Sequence, residues 1–304
     1  MEKVEFNQIK KISSYSSVAP WLYLPFRLKT IKKAWKLITT VICDFFLLQI
    51  LQKLKITKYP VIYVDSPLDE KIPFNPTKVK SYMNFIPYFL RPTVMLIERM
   101  GYKNAAPYLN EYLDFIATMY KNATTIYRFC MTTTHRPNYL KKKEFKAIHV
   151  ADPHLLCVPS LHVTIAAGTY TWFKHFFANN IFNEQEANVY LSELLHDGLK
   201  ITESVLFVKQ HSVNCVPIAF YMLSASMPKE FFTASDVDNF ISLLFSDCTE
   251  LSDEVKNEIK EYFKFMYERN FLENIYADNW QDCIKHWLID YANETGQGDI
   301  LKAK

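Results

Sequence analysis

Glycine is scarce in this chain, and its scarcity limits the folds that the chain can adopt. Only 5 of the 304 residues are glycine, whereas an average protein contains about 7%. Collagen-like repeats, glycine-rich linkers and glycine-rich phosphate loops are therefore excluded. Folds with many tight hairpins are also disfavoured, because type I′ and II′ turns depend on glycine.

The apolar residues recur mostly at helical spacing, which predicts an all-α protein. Residues 109–120 follow this period after Pro107, which suits a first helical turn. Ser252 is a predicted N-cap ahead of two acidic residues. Residues 59–64 form the one modest strand candidate, and residues 132–153 are predicted to be a loop.

The chain is predicted to form one helical bundle domain over residues 1–304. Its core spans residues 105–228, with helices before it in 1–104 and a helical extension after it in 229–304. Asn183 is expected to cap a helix that ends near residue 195. The 35 basic and 32 acidic residues leave a net charge of +3, so no nucleic-acid partner is predicted.

The prediction of the cellular location depends on how three apolar stretches are interpreted: residues 37–51, 155–173 and 204–227. Each is shorter than the ~20 apolar residues of a membrane span or is interrupted by polar residues, so we interpret all three as core helices. The basic ends of residues 27–58 leave open a second interpretation, contact with an anionic membrane surface. The six dispersed cysteines favour a reducing compartment. We predict a cytoplasmic or peripheral membrane protein, with an integral membrane protein as the alternative.

Two short segments carry residues suited to phosphate chemistry. The first contains Arg136-Pro137, with Arg128 eight residues earlier. The second is Pro159-Ser160-Leu161-His162, which precedes a helix predicted over residues 163–177. The free N–H groups of a first helical turn favour an anion, and His162 would lie in that turn as a proton donor.

A third segment, residues 204–215, is predicted to be helical. Ser204 and His211 would then lie two turns apart on one face, with Cys215 one turn further along. Lys209 and His211 stand among apolar residues and require polar partners, because unpaired buried polar groups are costly.

In this order, the three segments resemble the motifs of the type 2 phosphatidic acid phosphatase superfamily, which also contains the vanadium haloperoxidases. Arg136-Pro137 is similar to the first motif, and the segment from Pro159 to His162 is similar to the second. The spacing from Ser204 to His211 is similar to the third. The resemblance covers about residues 128–221, roughly a third of the chain.

The third motif is degenerate, since Val205 stands at the usual arginine and Cys215 at the usual aspartate. The string Val208-Lys209-Gln210-His211 is similar to the branch close to the inositol-phosphate transferases. The resemblance implies a bundle of the phosphatase and haloperoxidase type.

The resemblance also implies a metal-independent phosphatase or phosphotransferase that acts on a lipid or other phosphoester. His211 would attack phosphorus and form a phosphohistidine, and His162 would protonate the leaving oxygen. No cofactor is expected. The residues implied to hold the phosphoryl oxygens are Arg136, Ser160, Ser204, Arg128 and Lys209.

The activity of such a site depends on the residue that orients the nucleophilic histidine. The family's aspartate, at Cys215 here, accepts a hydrogen bond from the nucleophilic histidine, and a thiol is a weak acceptor. We therefore expect low activity, with a gain in Cys215→Asp unless Asp152 or Glu203 supplies a substitute carboxylate. The alternative is a catalytically degenerate relative that binds a phosphate group or a partner without turnover; a haloperoxidase is a third option.

Overall fold

The structure, a computed structural model, describes residues 9–180 and 182–302. The all-α prediction is confirmed, because helices account for most of these residues and the two strands have three residues each. The strands are β1 (Val61–Tyr63) and β2 (Met131–Thr133). The helices are α1 (Ala19–Tyr23), α2 (Ile31–Thr40), α3 (Leu48–Lys53), α4 (Val79–Met83), α5 (Phe85–Met100), α6 (Tyr102–Phe129), α7 (Lys143–Ala151), α8 (Leu161–Asn179), α9 (Glu184–Phe207), α10 (Cys215–Ser226), α11 (Ala234–Leu243), α12 (Asp253–Glu273), α13 (Trp280–Glu294) and α14 (Gly298–Lys302).

One continuous hydrophobic core joins these helices, and α8 lies near its centre in contact with α5, α6, α9 and α10. Helix α10 carries apolar residues on all of its faces, and its residues from Cys215 to Leu223 are buried, as expected for a central helix. The Tyr88 hydroxyl of α5 donates to the carbonyls of Ala166 in α8 and Leu194 in α9. This side chain therefore fixes three of the long helices to one another.

The strand predicted at residues 59–64 is confirmed as β1, which pairs in parallel with β2 so that Ile62 lies opposite Thr132. The loop predicted over residues 132–153 is wrong in part, since it begins within β2 and contains α7. Residues 155–158 then run beside β2. Thr132 donates its N–H to the Leu155 carbonyl and accepts the Cys157 N–H at its own carbonyl, and its hydroxyl accepts the Val158 N–H at 2.7 Å. These bonds fix the segment that leads into α8.

The predicted N-caps are confirmed at Asn183 and Ser252, whose side chains accept N–H groups from the first turns of α9 and α12. Two predicted helix ends are wrong. Helix α6 begins at Tyr102 and not at Pro107, directly after Gly101 with φ +73°. Helix α9 continues past residue 195 to Phe207, because Gly198 allows close packing and does not end the helix: a Cβ there would lie 3.0 Å from the Tyr88 hydroxyl.

The helix predicted over residues 204–215 is also wrong, since α9 ends at Phe207 and α10 begins at Cys215. Lys209 adopts φ +55°, its own N–H donates to the Leu206 carbonyl, and the Gln210 N–H donates to the Val205 carbonyl. This is the Schellman arrangement that ends many helices, with lysine at the position where glycine is usual. The chain therefore turns before His211, which lies in the short connection between α9 and α10.

Residues Ile31–Lys53 form a continuous helical segment, here named the N-terminal rod: α2, a π-helical stretch at Val41–Leu47, and α3. Within the described residues it is the one helix long and apolar enough to cross a membrane, by length and composition alone. Only 28% of its most apolar stretch is buried. The core-helix interpretation is thus confirmed for the buried α8 and α10 but wrong for the outer face of the rod.

We expect Thr132→Val to destabilise the protein by about 2 kcal/mol, because the buried Val158 N–H then has no acceptor. Valine has the shape of threonine, so packing should change little. Urea denaturation measures the loss. Thr125→Val is the matched control, since the Thr125 hydroxyl is exposed and bonds only a carbonyl of its own helix. An equal loss in both variants would contradict the explanation.

Candidate active site

His211 lies in the connection between α9 and α10 and is held through one ring nitrogen. Its Nδ1 is 3.1 Å from the backbone carbonyl of Cys157. A carbonyl can only accept, so Nδ1 carries the proton and Nε2 is the unprotonated nitrogen. Nε2 accepts the Ser160 hydroxyl at 3.4 Å.

The charge state of His211 follows from its burial. Removal of the ring from water lowers its pKa from 6.5 to about 4, although the hydrogen bond to Cys157 opposes part of that effect. The imidazole is therefore neutral at neutral pH. A neutral imidazole with one unprotonated nitrogen is the nucleophilic form of histidine.

His162 lies in the first turn of α8, as predicted, two residues after the N-cap Ser160. Its ring lies between Tyr82 and Phe85, with centroid distances of 4.4 Å and 4.3 Å. The His162 and His211 rings are 5.5 Å apart between centroids, edge to face. Burial lowers the pKa of His162 well below its usual value, and the nearby His211 lowers it further.

The two histidines share one cavity with a volume of about 20 Å³. That volume holds about one water molecule. The cavity is therefore closed to a phosphoryl group in this conformation. Its lining residues are Phe45, Asp152, His154, Leu156, Cys157, Leu161, His162, Gln210 and His211.

Arg136 lies at the edge of this cavity. Its guanidinium donates to the Gln210 side-chain oxygen at 3.1 Å and to the Asp152 carbonyl at 3.3 Å. Both partners line the cavity, so the permanent positive charge of Arg136 lies next to the residues of its wall. The structure thus brings together four of the predicted residues, Arg136, Ser160, His162 and His211.

Three predicted phosphate-binding residues have other partners. The Ser204 hydroxyl donates to the Ile201 carbonyl within α9, and Arg128 pairs with Asp44 at the surface. The Lys209 ammonium donates to the Asp69 carbonyl. The expectation that Ser204 shares a face with His211 is wrong, because the helix ends between them.

The orienting geometry expected of Cys215 does not form, for the same reason. Cys215 is buried at the start of α10, and no hydrogen bond joins it to His211 in the described parts of the chain. The Cys157 carbonyl holds the His211 ring instead. No side-chain pattern could have revealed this partner, since the acceptor belongs to the backbone.

Of the two substitute acids considered from the sequence, Asp152 reaches the cavity and Glu203 does not. Glu203 accepts the Phe245 N–H in another part of the core. Burial raises the pKa of Asp152, while Arg136 acts in the opposite direction. His154 was not predicted as a site residue; its Nε2 is 2.9 Å from the Thr134 hydroxyl, and burial lowers its pKa to about 3.

Among residues 9–180 and 182–302, no three histidine, cysteine or acidic side chains are grouped closely enough to hold a metal ion. No protein-family model matches the chain, and no curated protein or solved structure matches it either. The family resemblance therefore depends on the three sequence motifs and on the geometry of this site.

We expect the free energy of unfolding to fall as the pH decreases from neutral to about 4. The folded-state pKa of His211 lies below the unfolded value of 6.5, so in that range the unfolded chain takes up a proton that the folded chain does not. His211 alone should contribute about 3 kcal/mol to the decrease. Urea denaturation at several pH values should show a weaker dependence in His211→Gln, whereas His175→Gln should keep it.

We expect Cys215→Asp to lower stability by about 3 kcal/mol or more and to give no gain in activity. The new carboxylate would be buried without a partner, and the Cys157 carbonyl already accepts the Nδ1 proton of His211. Cys43→Asp, at an exposed cysteine, controls for the added charge in the same denaturation assay. A rise in turnover in Cys215→Asp would show that a carboxylate can reach His211.

Proposed function

We propose that the protein is a phosphatase or phosphotransferase that acts on phosphoesters through a phosphohistidine at His211. The observation that supports this most strongly is the state of the His211 ring: Nδ1 donates to a backbone carbonyl, Nε2 is unprotonated and lies beside the Ser160 hydroxyl, and the ring lines a cavity that His162 also lines. The sequence motifs independently indicate the same chemistry.

In the proposed reaction, Nε2 of His211 attacks phosphorus and the bond from phosphorus to the ester oxygen breaks. His162 gives its proton to that oxygen, which leaves as an alcohol. A water molecule or an acceptor alcohol then gives its proton to His162 and attacks the phosphohistidine. The phosphorus–nitrogen bond breaks, and His211 returns to its neutral form.

His162 must be protonated before the first step, although its pKa is low in the free protein. A phosphate monoester supplies the missing interaction, because a nearby negative charge raises the pKa of an imidazole. Binding of the substrate and protonation of His162 are therefore coupled. In the free protein, burial and the nearby His211 disfavour the protonated form of His162.

The phosphoryl oxygens would contact Arg136 and the beginning of α8. The first N–H groups of a helix attract an anion, and α8 has 19 residues with Ser160 at its N-cap. Phosphoryl transfer requires mainly positioning and charge stabilisation. Both contributions would come from side chains and backbone groups at the cavity edge.

A second candidate function is binding of a phosphate group or a partner without turnover. The cavity of about 20 Å³ favours it, since a phosphoryl group enters only if the wall moves. The departures at Val205 and Cys215 favour it as well. The two functions differ in whether a covalent phosphoenzyme forms.

We expect acid-quenched labelling with a phosphorus-labelled aryl phosphate to place phosphate on His211. His211→Gln should abolish the label, and His162→Gln should slow its formation by about 10²–10⁴-fold, the usual contribution of general acid catalysis. The slowing should be greatest for poor leaving groups. His175→Gln is the control, since His175 lies on α8 but bonds the Phe231 carbonyl.

Label on a residue other than His211 would refute the nucleophile assignment. If no label forms but inorganic phosphate binds and Arg136→Gln weakens the binding, the second candidate function is correct. If phosphate neither binds nor is transferred, both candidates fail.

A further inference from the structure

The outer face of the N-terminal rod and the segment before it form an exposed apolar surface. Along the rod, the exposed apolar residues recur at helical spacing and so lie on one face. The preceding segment adds side chains as exposed as Leu28, at 94%. We name this surface the N-terminal face; its apolar members are Val18, Trp21, Leu22, Phe26, Leu28, Trp35, Ile42, Phe46, Leu47, Ile50, Leu54 and Ile56.

The charges around the N-terminal face are almost all positive. Residues 18–58 contain eight basic residues and one acidic residue, Asp44, and Asp44 is paired with Arg128. Lys33 and Lys36 pair with Asp114. The other six basic residues form no ion pair within the described chain, and they flank the apolar stripe at both ends: Arg27, Lys29, Lys32, Lys53, Lys55 and Lys58.

The rod is fixed to the body of the protein along its length and runs in the same direction as α6. Lys36 pairs with Asp114 near the middle of α6, and the Asp44 carbonyl accepts the Thr124 hydroxyl further along. Near the end of the rod, the Gln49 side chain accepts the Leu155 N–H. A helix held in this way presents one side outward and cannot cross a bilayer by itself.

We propose that the N-terminal face docks in the plane of an anionic membrane surface. Apolar side chains with tryptophan would enter the boundary between headgroups and acyl chains, and the flanking lysines would contact anionic headgroups. Charge complementarity favours this occupant over a second copy of the chain, because two such faces would bring the same basic residues together. The inference does not depend on the proposed catalytic activity.

A second exposed apolar cluster provides a matched comparison. Phe271, Leu272, Ile275 and Tyr276 are exposed near the end of α12, and residues 268–278 around them contain three acidic residues and one basic residue. Its apolar character resembles that of the N-terminal face, but its charge is of the opposite sign. An anionic bilayer should therefore distinguish the two.

The test is flotation of the full-length chain with vesicles of phosphatidylcholine, with and without about one third phosphatidylserine. We expect binding that requires phosphatidylserine and weakens with salt. Phe46→Ser should weaken it about tenfold, and Lys53→Gln with Lys55→Gln about thirtyfold. Phe271→Ser is the matched control, since Phe46 and Phe271 each contact one neighbouring aromatic ring, and it should bind as the wild type does.

Trp35 gives a direct readout, because it is 46% exposed on the N-terminal face. Acyl chains labelled with bromine should quench the fluorescence of Trp35 and of Trp21 on the same face, and Trp35→Phe should reduce the quenched signal. Equal binding to both vesicle types, or equal loss in Phe46→Ser and Phe271→Ser, would overturn the proposal. A dimer in solution that Phe46→Ser dissociates, without vesicle binding, would assign the face to a second copy. Protein that stays with vesicles after a carbonate wash would show insertion instead of docking.

Discussion

The hydrogen bond from His211 to the Cys157 carbonyl is the contact on which the candidate site depends. It joins two connections that are distant in sequence, and each is fixed by its own backbone bonds. Thr132 of β2 holds the segment that carries Cys157, and the Schellman end of α9 positions His211. A backbone acceptor sets the tautomer of the ring without adding a charge to the core. The His211 ring therefore has an orienting partner although residue 215 is a cysteine.

The neutral state of both histidines shapes what the site can bind. Each lowered pKa reflects the cost of placing a positive charge in a dry cavity. A phosphate anion would reduce that cost, so uptake of the anion and of a proton by His162 would favour each other. Under the proposed function, Arg136 and the beginning of α8 would attract the same anion, whereas Asp152 would repel it when ionised. Burial raises the pKa of Asp152, which favours its neutral form over the charged one.

Rules that depend on a few adjacent residues predicted part of the site correctly. The positions that were predicted wrongly follow a helix end that the sequence does not mark. Ser160 and His162 were placed correctly because N-capping depends on a few adjacent residues. The positions of Ser204 and Lys209 were wrong because the sequence gives no sign that a helix ends between them. Lysine occupies the left-handed position that glycine would mark, as His154 and Phe245 do elsewhere. In a chain with so little glycine, turns are made by residues that cost about 1 kcal/mol or more in that conformation, and pattern analysis cannot detect them.

Two adjacent side chains of the N-terminal rod connect the wall of the histidine cavity with the exposed N-terminal face. Phe45 forms part of the cavity wall, while its neighbour Phe46 points outward, and the two rings touch edge to face. A phosphoryl group needs more space than the cavity provides, and Phe45 of the rod is among the residues that line it. If binding of phosphate shifts the rod, thermodynamic linkage is reciprocal: a contact that holds Phe46 in the shifted position strengthens phosphate binding by the same factor by which phosphate strengthens that contact. An anionic surface that binds Phe46, as proposed above, would then act as an effector of the site.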